Sequence, residues 1–101
     1  MIKHIVMFKL KEEANGKSAK ENLAGALELL KNFQEEIPSL VHFEAKTNHP
    51  EAPESNYELA LVCDFNDIQG LNEYQVHPVH KNFGAYITPV RENRACIDYE
   101  Y

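Results

Sequence analysis

The chain has 101 residues and a formal net charge of −6, with 44% hydrophobic and 26% charged residues. This length supports one hydrophobic core, so we expect residues 1–101 to form a single domain. The acidic balance argues against a nucleic-acid or anionic membrane partner, since both of those surfaces attract clustered basic residues.

The first predicted element is a strand over residues 2–10, in which side chains alternate between two faces. The even-numbered face is apolar apart from His4, and the odd-numbered face keeps Ile5 and Met7 at its centre. This segment is too short and too polar for a signal peptide, and no other segment is long enough to cross a bilayer. The sequence therefore predicts a cytoplasmic protein.

A helix is predicted to follow a loop over residues 12–17. Ser18 and Glu21 have the spacing of a capping box, in which the serine caps the helix and the glutamate reaches back to it. Apolar residues continue at helical spacing as far as position 33. Pro38 is expected to end the helix, because the residue before a proline avoids helical angles.

Two further strands are predicted over residues 40–47 and 57–65. The first alternates polar and apolar residues, which is typical of an edge strand. The second is apolar on both faces, which indicates a central strand. Residues 48–56 contain two prolines and two glutamates and predict a mobile loop between them.

The last part of the chain predicts a helical region and a fourth strand. Asp67 caps a helix, and the pair His77-Pro78 either kinks it or starts a new one, since proline is favoured at a first helical position. Pro89 is expected to end this region, and residues 95–99 alternate as a strand.

The predicted element order is β-α-β-β-α-β, which gives an α+β fold: a four-stranded antiparallel sheet with two helices on one face. Strands one and three would be central. Cys63 and Cys96 would then lie on strands that are not neighbours, and each falls in an apolar strand pattern. We expect both to be small buried hydrophobic residues in a reducing compartment.

Helices on one face leave the other face of the sheet open, and that face would hold an apolar patch. A patch of this kind seldom stays exposed on a monomer, so a twofold copy is the expected partner. A half-solvated sheet is the alternative. The two arginines, Arg91 and Arg94, are expected to face solvent or to cover a dimer edge. The expected patch residues are Ile5, Met7, Ala60, Val62 and Cys96.

The segment from Tyr74 to Gly84 contains the residues most suited to chemistry. Tyr74 is followed by His77 and His80, with apolar residues such as Phe83 between and after them. A hydroxyl and imidazoles against an apolar wall predict a small-molecule pocket with acid–base capability. His4 on the first strand would point toward the same space.

The chain resembles the stress-responsive dimeric α/β barrel family, known as Dabb. The resemblance is carried by four pieces that occur in the family's order: His4 to Lys11, Tyr57 to Val62, Tyr74-x-x-His77-Pro78-x-His80, and Ile97 to Glu100. It implies a ferredoxin-like fold whose sheets pair face to face as a dimeric α/β barrel. Many proteins of this family are domains of uncertain biochemical role.

One characterised member of the family that this chain resembles is olivetolic acid cyclase, a plant enzyme that closes a linear polyketide by intramolecular aldol condensation. Its catalytic pair is similar to Tyr74 and His80 here, and its pocket histidines to His4 and His77; Phe83 also matches. Its tunnel residues have no visible counterpart. The implied mechanism uses neutral His80 as a base and the Tyr74 hydroxyl as a donor to an enolate oxygen, with His4 orienting His80 or holding substrate.

Several other functions fit the same residues. The pocket could bind a small apolar or aromatic ligand without catalysis, or the protein could be a structural dimer. A cofactor-independent oxygenase is a further possibility by analogy of fold. A metal site made of His77, His80 and His4 is disfavoured, because no carboxylate lies at ligand spacing in that run and Pro78 restricts the approach. The sequence therefore predicts no metal and no cofactor.

Overall fold

The computed structural model of the chain describes residues 1–101. Its elements, in chain order, are β1 (Ile2–Leu10), β2 (Glu13–Ala14), β3 (Lys17–Ser18), α1 (Ala19–Leu30), α2 (Phe33–Glu36), β4 (His42–Thr47), β5 (Leu59–Phe65), α3 (Ile68–Val76), α4 (Pro78–Val90) and β6 (Arg91–Glu100). None of the helices is both long and apolar enough to cross a membrane.

The main sheet has the strand order β4-β5-β1-β6, and all of its pairs are antiparallel. This arrangement confirms the predicted α+β fold, with β1 and β5 at the centre and β4 at an edge. The two cysteine-bearing strands, β5 and β6, are separated by β1, as expected. β4 and β5 each begin two residues later than the sequence pattern indicated.

The core lies between the helices and one face of the sheet. Alternate residues of β1 and β5 point into it, because successive side chains of a strand face opposite ways. Phe33 is fully buried near its centre and packs edge-on against Phe83 and Tyr74, with ring centroids 5.7 and 6.2 Å away.

The first helix begins as predicted and ends earlier. The Glu21 backbone N–H donates to Ser18 Oγ at 3.2 Å, and the Glu21 carboxylate accepts from the Ser18 N–H at 3.1 Å, which completes the capping box. The helix does not reach Pro38, however. It ends at Leu30, and a separate single helical turn, α2, follows. Ile37, the residue before Pro38, has an extended conformation and ends α2.

A small hairpin, β2–β3, replaces the loop expected over residues 12–17. Its turn is made by Asn15 and Gly16, which both have positive φ, at 54° and 75°. Asn-Gly is the preferred pair for a type I′ turn, because both central residues of that turn need positive φ. The signal was therefore present in the sequence.

His77 separates α3 from α4, so Pro78 starts a new helix instead of kinking one. His77 is extended, with φ −65° and ψ 138°, and Pro78 occupies the first helical position. The prediction that Pro89 ends the second helical region was wrong by one residue, since α4 continues to Val90. Pro89 lies in the last turn of α4, where its missing N–H removes only one helical hydrogen bond.

Cys96 lies on the helix side of the sheet, and the prediction that it joins the open face was wrong. It pairs across the ladder with the buried Val6, and therefore points the same way. Cys63 is buried as predicted, but the prediction that Cys96 is buried was wrong: it is exposed, because β6 is an edge strand that the helices do not cover. On the open face, Ile97 lies opposite Ile5.

Candidate functional site

A cavity of about 180 Å³ opens between the helix side of β1 and β6 and the helices α3 and α4. Its floor is apolar, with Val6, Phe8 and Phe83 among the lining residues. The cavity exists because the helices pack over β1 and β5 and leave the neighbouring edge strand β6 uncovered. The polar residues that line it are His4, Tyr74, His80, Thr88, Arg91 and Arg94.

Tyr74, in the last turn of α3, is fully buried at the back of the cavity. Its ring centroid lies 4.5 Å from that of His80 and 5.9 Å from that of His4. Its hydroxyl has one polar neighbour within the protein, the Cys63 thiol at 3.9 Å. Burial raises the pKa of Tyr74 far above its ordinary value, so this phenol stays protonated and acts as a hydrogen-bond donor.

His80 lies in the first turn of α4, with its imidazole in the cavity. Its Nδ1 is 3.2 Å from the Gln75 carbonyl oxygen. A carbonyl oxygen only accepts, so we assign the proton to Nδ1, which leaves Nε2 as the unprotonated nitrogen. Burial lowers the pKa of His80 despite that hydrogen bond, and the electrostatic effects of nearby His4 and Arg94 lower it further. These conditions favour a neutral imidazole with a free basic nitrogen.

The lowered pKa of His80 predicts a titration midpoint below about 6.5, the ordinary value for histidine. The unfolded chain then binds this proton more readily than the folded chain does. The contribution of His80 to stability is therefore complete above pH ~6.5 and is lost as the pH falls through the folded-state value. NMR titration of the imidazole signals checks the midpoint, and a midpoint above 6.5 would contradict the burial argument.

The buried His4, which lines the cavity, is paired with Asp98, which is exposed. The two residues lie directly opposite each other on β1 and β6, and His4 Nδ1 is hydrogen-bonded to the Asp98 carboxylate. An acceptor at Nδ1 holds a proton on that nitrogen and orients the ring. Asp98 had no predicted role, because its pairing with His4 depends on strand register.

Of the five residues predicted for the site, four line the cavity and one does not. His4, Tyr74, His80 and Phe83 meet there. His77 instead caps α4, since its Nδ1 accepts the Val79 N–H at 3.1 Å. The prediction for His77 assumed one continuous helical face, which the turn at Pro78 interrupts.

Arg91 and Arg94 were expected at the solvent or a dimer edge; Arg94 is exposed and Arg91 half-buried, and both also line the cavity. A β-bulge explains why. Lys9 of β1 pairs with Asn93 and Leu10 pairs with Arg91, so Glu92 is an extra residue on β6. Without this bulge, Arg91 and Arg94, which are three residues apart, would face opposite sides of the sheet.

The three histidines considered as metal ligands do not meet, because His77 lies outside the cavity. A different set does lie together: ligand atoms of His4, Cys96 and Asp98 are within 4.8 Å of one another. In this set, the Asp98 carboxylate and the Cys96 thiol both lie against the same His4 nitrogen, Nδ1. The arrangement is that of a hydrogen-bonded pair with a neighbouring thiol.

Comparison with known proteins gives a family and a fold. The family model described as the stress responsive A/B barrel domain (Dabb) matches residues 2–101. No curated protein matches the chain.

Solved structures of similar fold cover almost the whole chain. A dimeric ferredoxin-like protein of unknown function from Thermobifida fusca has a TM-score of 0.83 at 24% identity, over 99% of this chain and 90% of its own. A dimeric protein of unknown function with a ferredoxin-like fold from Bacteroides fragilis has a TM-score of 0.77 at 29% identity, over 99% and 95%. The hydroxynitrile lyase from Passiflora edulis has a TM-score of 0.75 at 19% identity, over 97% and 90%.

Proposed function

We propose that this chain, which belongs to the stress-responsive A/B barrel (Dabb) domain family, binds a small apolar carbonyl compound in its cavity and removes a proton from the carbon beside the carbonyl. One observation carries the proposal. A neutral imidazole, His80, lies 4.5 Å between ring centroids from a buried phenol, Tyr74, that can donate a hydrogen bond. Base and donor thus line one cavity with an apolar floor, which is the arrangement that enolate formation requires.

The proposed step transfers one proton and needs no cofactor. His80 Nε2 accepts the proton from the carbon, and the electron pair of the broken C–H bond moves to the carbonyl oxygen. The Tyr74 hydroxyl donates to that oxygen as its negative charge develops, a contribution typically worth about 3–4 kcal/mol. His4, held by Asp98, lies close enough to hold the substrate or to orient His80.

An enolate formed in this way is the intermediate of both cyclase and lyase reactions. If it attacks a second carbonyl in the same molecule, a carbon–carbon bond forms and a ring closes. The reverse reaction breaks that bond. The resemblance of Tyr74 and His80 to the catalytic pair of olivetolic acid cyclase supports the first direction. The Passiflora edulis hydroxynitrile lyase shares the fold alone at 19% identity, and its name records that lyase chemistry occurs on this scaffold.

The test of this proposal is exchange of carbon-bound hydrogen for deuterium. A panel of small methyl ketones is first screened by NMR for shifts of the His4, Tyr74 and His80 signals, so that only compounds that occupy the cavity are assayed. In heavy water, at least one such ketone is expected to exchange its α-hydrogens faster with the protein than with buffer. Occupancy by several ketones without any acceleration would make the cavity a binding site and not a catalytic one.

A second proposal concerns the open face of the sheet, which we infer to be a homodimer interface. Large apolar side chains are exposed there, including Met7, Ile97 and Tyr99. A sheet face of this kind is normally covered by another molecule. The Bacteroides fragilis and Thermobifida fusca proteins of similar fold are described as dimeric. A second copy of this chain is therefore the partner we propose.

Ile97→Asp is expected to convert the dimer to a monomer, because it places a charge in the middle of the proposed interface. The matched control is Ile68→Asp. Ile68 is exposed to a similar degree, 57% against 59% for Ile97, and lies at the start of α3, away from the open face. Light scattering on a size-exclusion column measures the mass. Dissociation of both variants, or of neither, would contradict the assigned interface.

We also place the protein in a reducing compartment, the cytoplasm. Its two cysteines are unpaired, and Cys96 is exposed. Free thiols of this kind persist most readily where disulfides are reduced. Fractionation of cells that express the tagged protein checks the location, and recovery from an oxidising compartment would contradict it.

A further inference from the structure

We propose that the ligand of this cavity carries a carboxylate, which Arg91 and Arg94 bind, so that the substrate class is a small apolar keto acid. The keto group of the ligand is inferred from the proposed function. The carboxylate of the ligand is inferred from the residues of the cavity itself. It adds a recognition element that the histidine and tyrosine chemistry does not require.

The distribution of arginine in the chain is the first observation. Arg91 and Arg94 are the only two arginines among ten basic residues, and both line this one cavity. The other eight basic residues are lysines, and none of them lines it. A protein with a net charge of −6 therefore concentrates both guanidinium groups at a single apolar site.

The pairing of these groups is the second observation. Each of the five ion pairs in the structure uses a lysine or a histidine, so neither arginine is neutralised by a carboxylate. No aspartate or glutamate lines the cavity. The nearby Asp98 carboxylate is already engaged by His4. Two positive charges at the edge of an apolar space thus lack a partner of opposite charge within the chain.

The backbone supplies the third observation. The bulge at Glu92 turns Arg91 to the same side of β6 as Arg94, where their ladder partners are the buried Leu10 and Phe8. Bulges often re-aim a side chain beside a functional site. Guanidinium groups are planar donors that match a carboxylate with two parallel hydrogen bonds, which distinguishes them from lysine ammonium groups.

The size of the cavity limits the rest of the ligand. Its volume is about 180 Å³, and a cavity of about 150 Å³ accommodates benzene. A single six-membered ring or a short chain therefore fills it, and larger groups must extend outward along β6. Because the arginines lie on β6 and Tyr74 lies at the back, the carboxylate would sit toward the opening and the ketone further in.

Equilibrium binding of benzoate and of benzamide tests the inference. The two probes have the same shape, and only benzoate is charged. Titration calorimetry on the whole protein is expected to show benzoate binding at least ~10-fold more tightly, since charge-assisted hydrogen bonds are about twice as strong as neutral ones. Arg94→Gln is expected to remove most of this preference, because it weakens benzoate binding much more than benzamide binding. The control is Lys81→Gln, because Lys81 is an exposed residue on α4 outside the cavity; this variant is expected to keep the preference for benzoate.

Three results would overturn the inference: equal affinity for the two probes, no binding of either, or a benzoate preference that survives replacement of both arginines by glutamine. Inorganic phosphate separates an apolar carboxylate from a general anion. It is expected to bind far more weakly than benzoate, and equal binding would contradict the proposed class. Because binding is measured without turnover, a benzoate preference that depends on arginine would stand even if the exchange assay showed no catalysis.

Discussion

Replacement of His80 by alanine is expected to slow α-hydrogen exchange by about 10²–10⁴-fold, the usual contribution of a positioned general base. The reason is that His80 lines the cavity and its lowered pKa favours a neutral imidazole, while Tyr74 beside it is held in its protonated form. His4 is the other imidazole near Tyr74 in the cavity, but its ring lies further from that of Tyr74, at 5.9 Å between centroids, and its Nδ1 is hydrogen-bonded to Asp98.

The matched control for His80→Ala is His42→Ala, at an exposed position on the edge strand β4. Exchange rates are measured by NMR on a ketone shown to occupy the cavity, and circular dichroism verifies that both variants are folded. The control is expected to retain the wild-type rate. A His80→Ala variant that is folded, binds the ketone and exchanges at the wild-type rate would remove His80 from the mechanism.

Replacement of Tyr74 by alanine is expected to destabilise the fold by about 3–5 kcal/mol, as for other large buried aromatic residues. Tyr74 is fully buried, and its ring packs against Phe33 and Phe65 as well as against the two site histidines. Its removal would leave a void next to the cavity that these rings cannot close. Urea denaturation measures the loss, and a cost below 1 kcal/mol would contradict the packing described.

Tyr74→Phe separates the chemical role of the residue from this structural role. The ring stays in place and the hydroxyl gives up only its contact with the Cys63 thiol at 3.9 Å, so we expect a change in stability below about 1 kcal/mol. The exchange rate is expected to fall by about 10²–10³-fold, as when one oxyanion donor is lost. Tyr57→Phe, outside the cavity, is the control. An unchanged rate in Tyr74→Phe would assign the hydroxyl to packing.

Most of the fold was predictable because its signals are local. The alternation in β1 and the capping box at Ser18 each depend on residues within one element. The order of those elements then restricts the sheet to few topologies. The misjudged boundaries, at Pro38 and Pro89, are places where proline permits more than one outcome and tertiary packing decides.

The site was predictable only in part, because some of its residues are assembled by register. Tyr74 and His80 are close in the sequence, and the turn between them was one of two expected outcomes. Asp98 meets His4 across a distance of 94 residues, through one specific pairing of β1 with β6. Arg91 enters the cavity only because of a bulge, and periodicity alone gives no sign of one.

The measurement that tests the central claim most directly is the pH dependence of α-hydrogen exchange for a ketone that occupies the cavity. If neutral His80 is the base, the rate rises as the imidazole loses its proton, passes through an inflection below pH ~6.5, and stays level above it. A rate that instead rises in proportion to the hydroxide concentration, with no inflection, would show that hydroxide from the solvent removes the proton and that His80 does not.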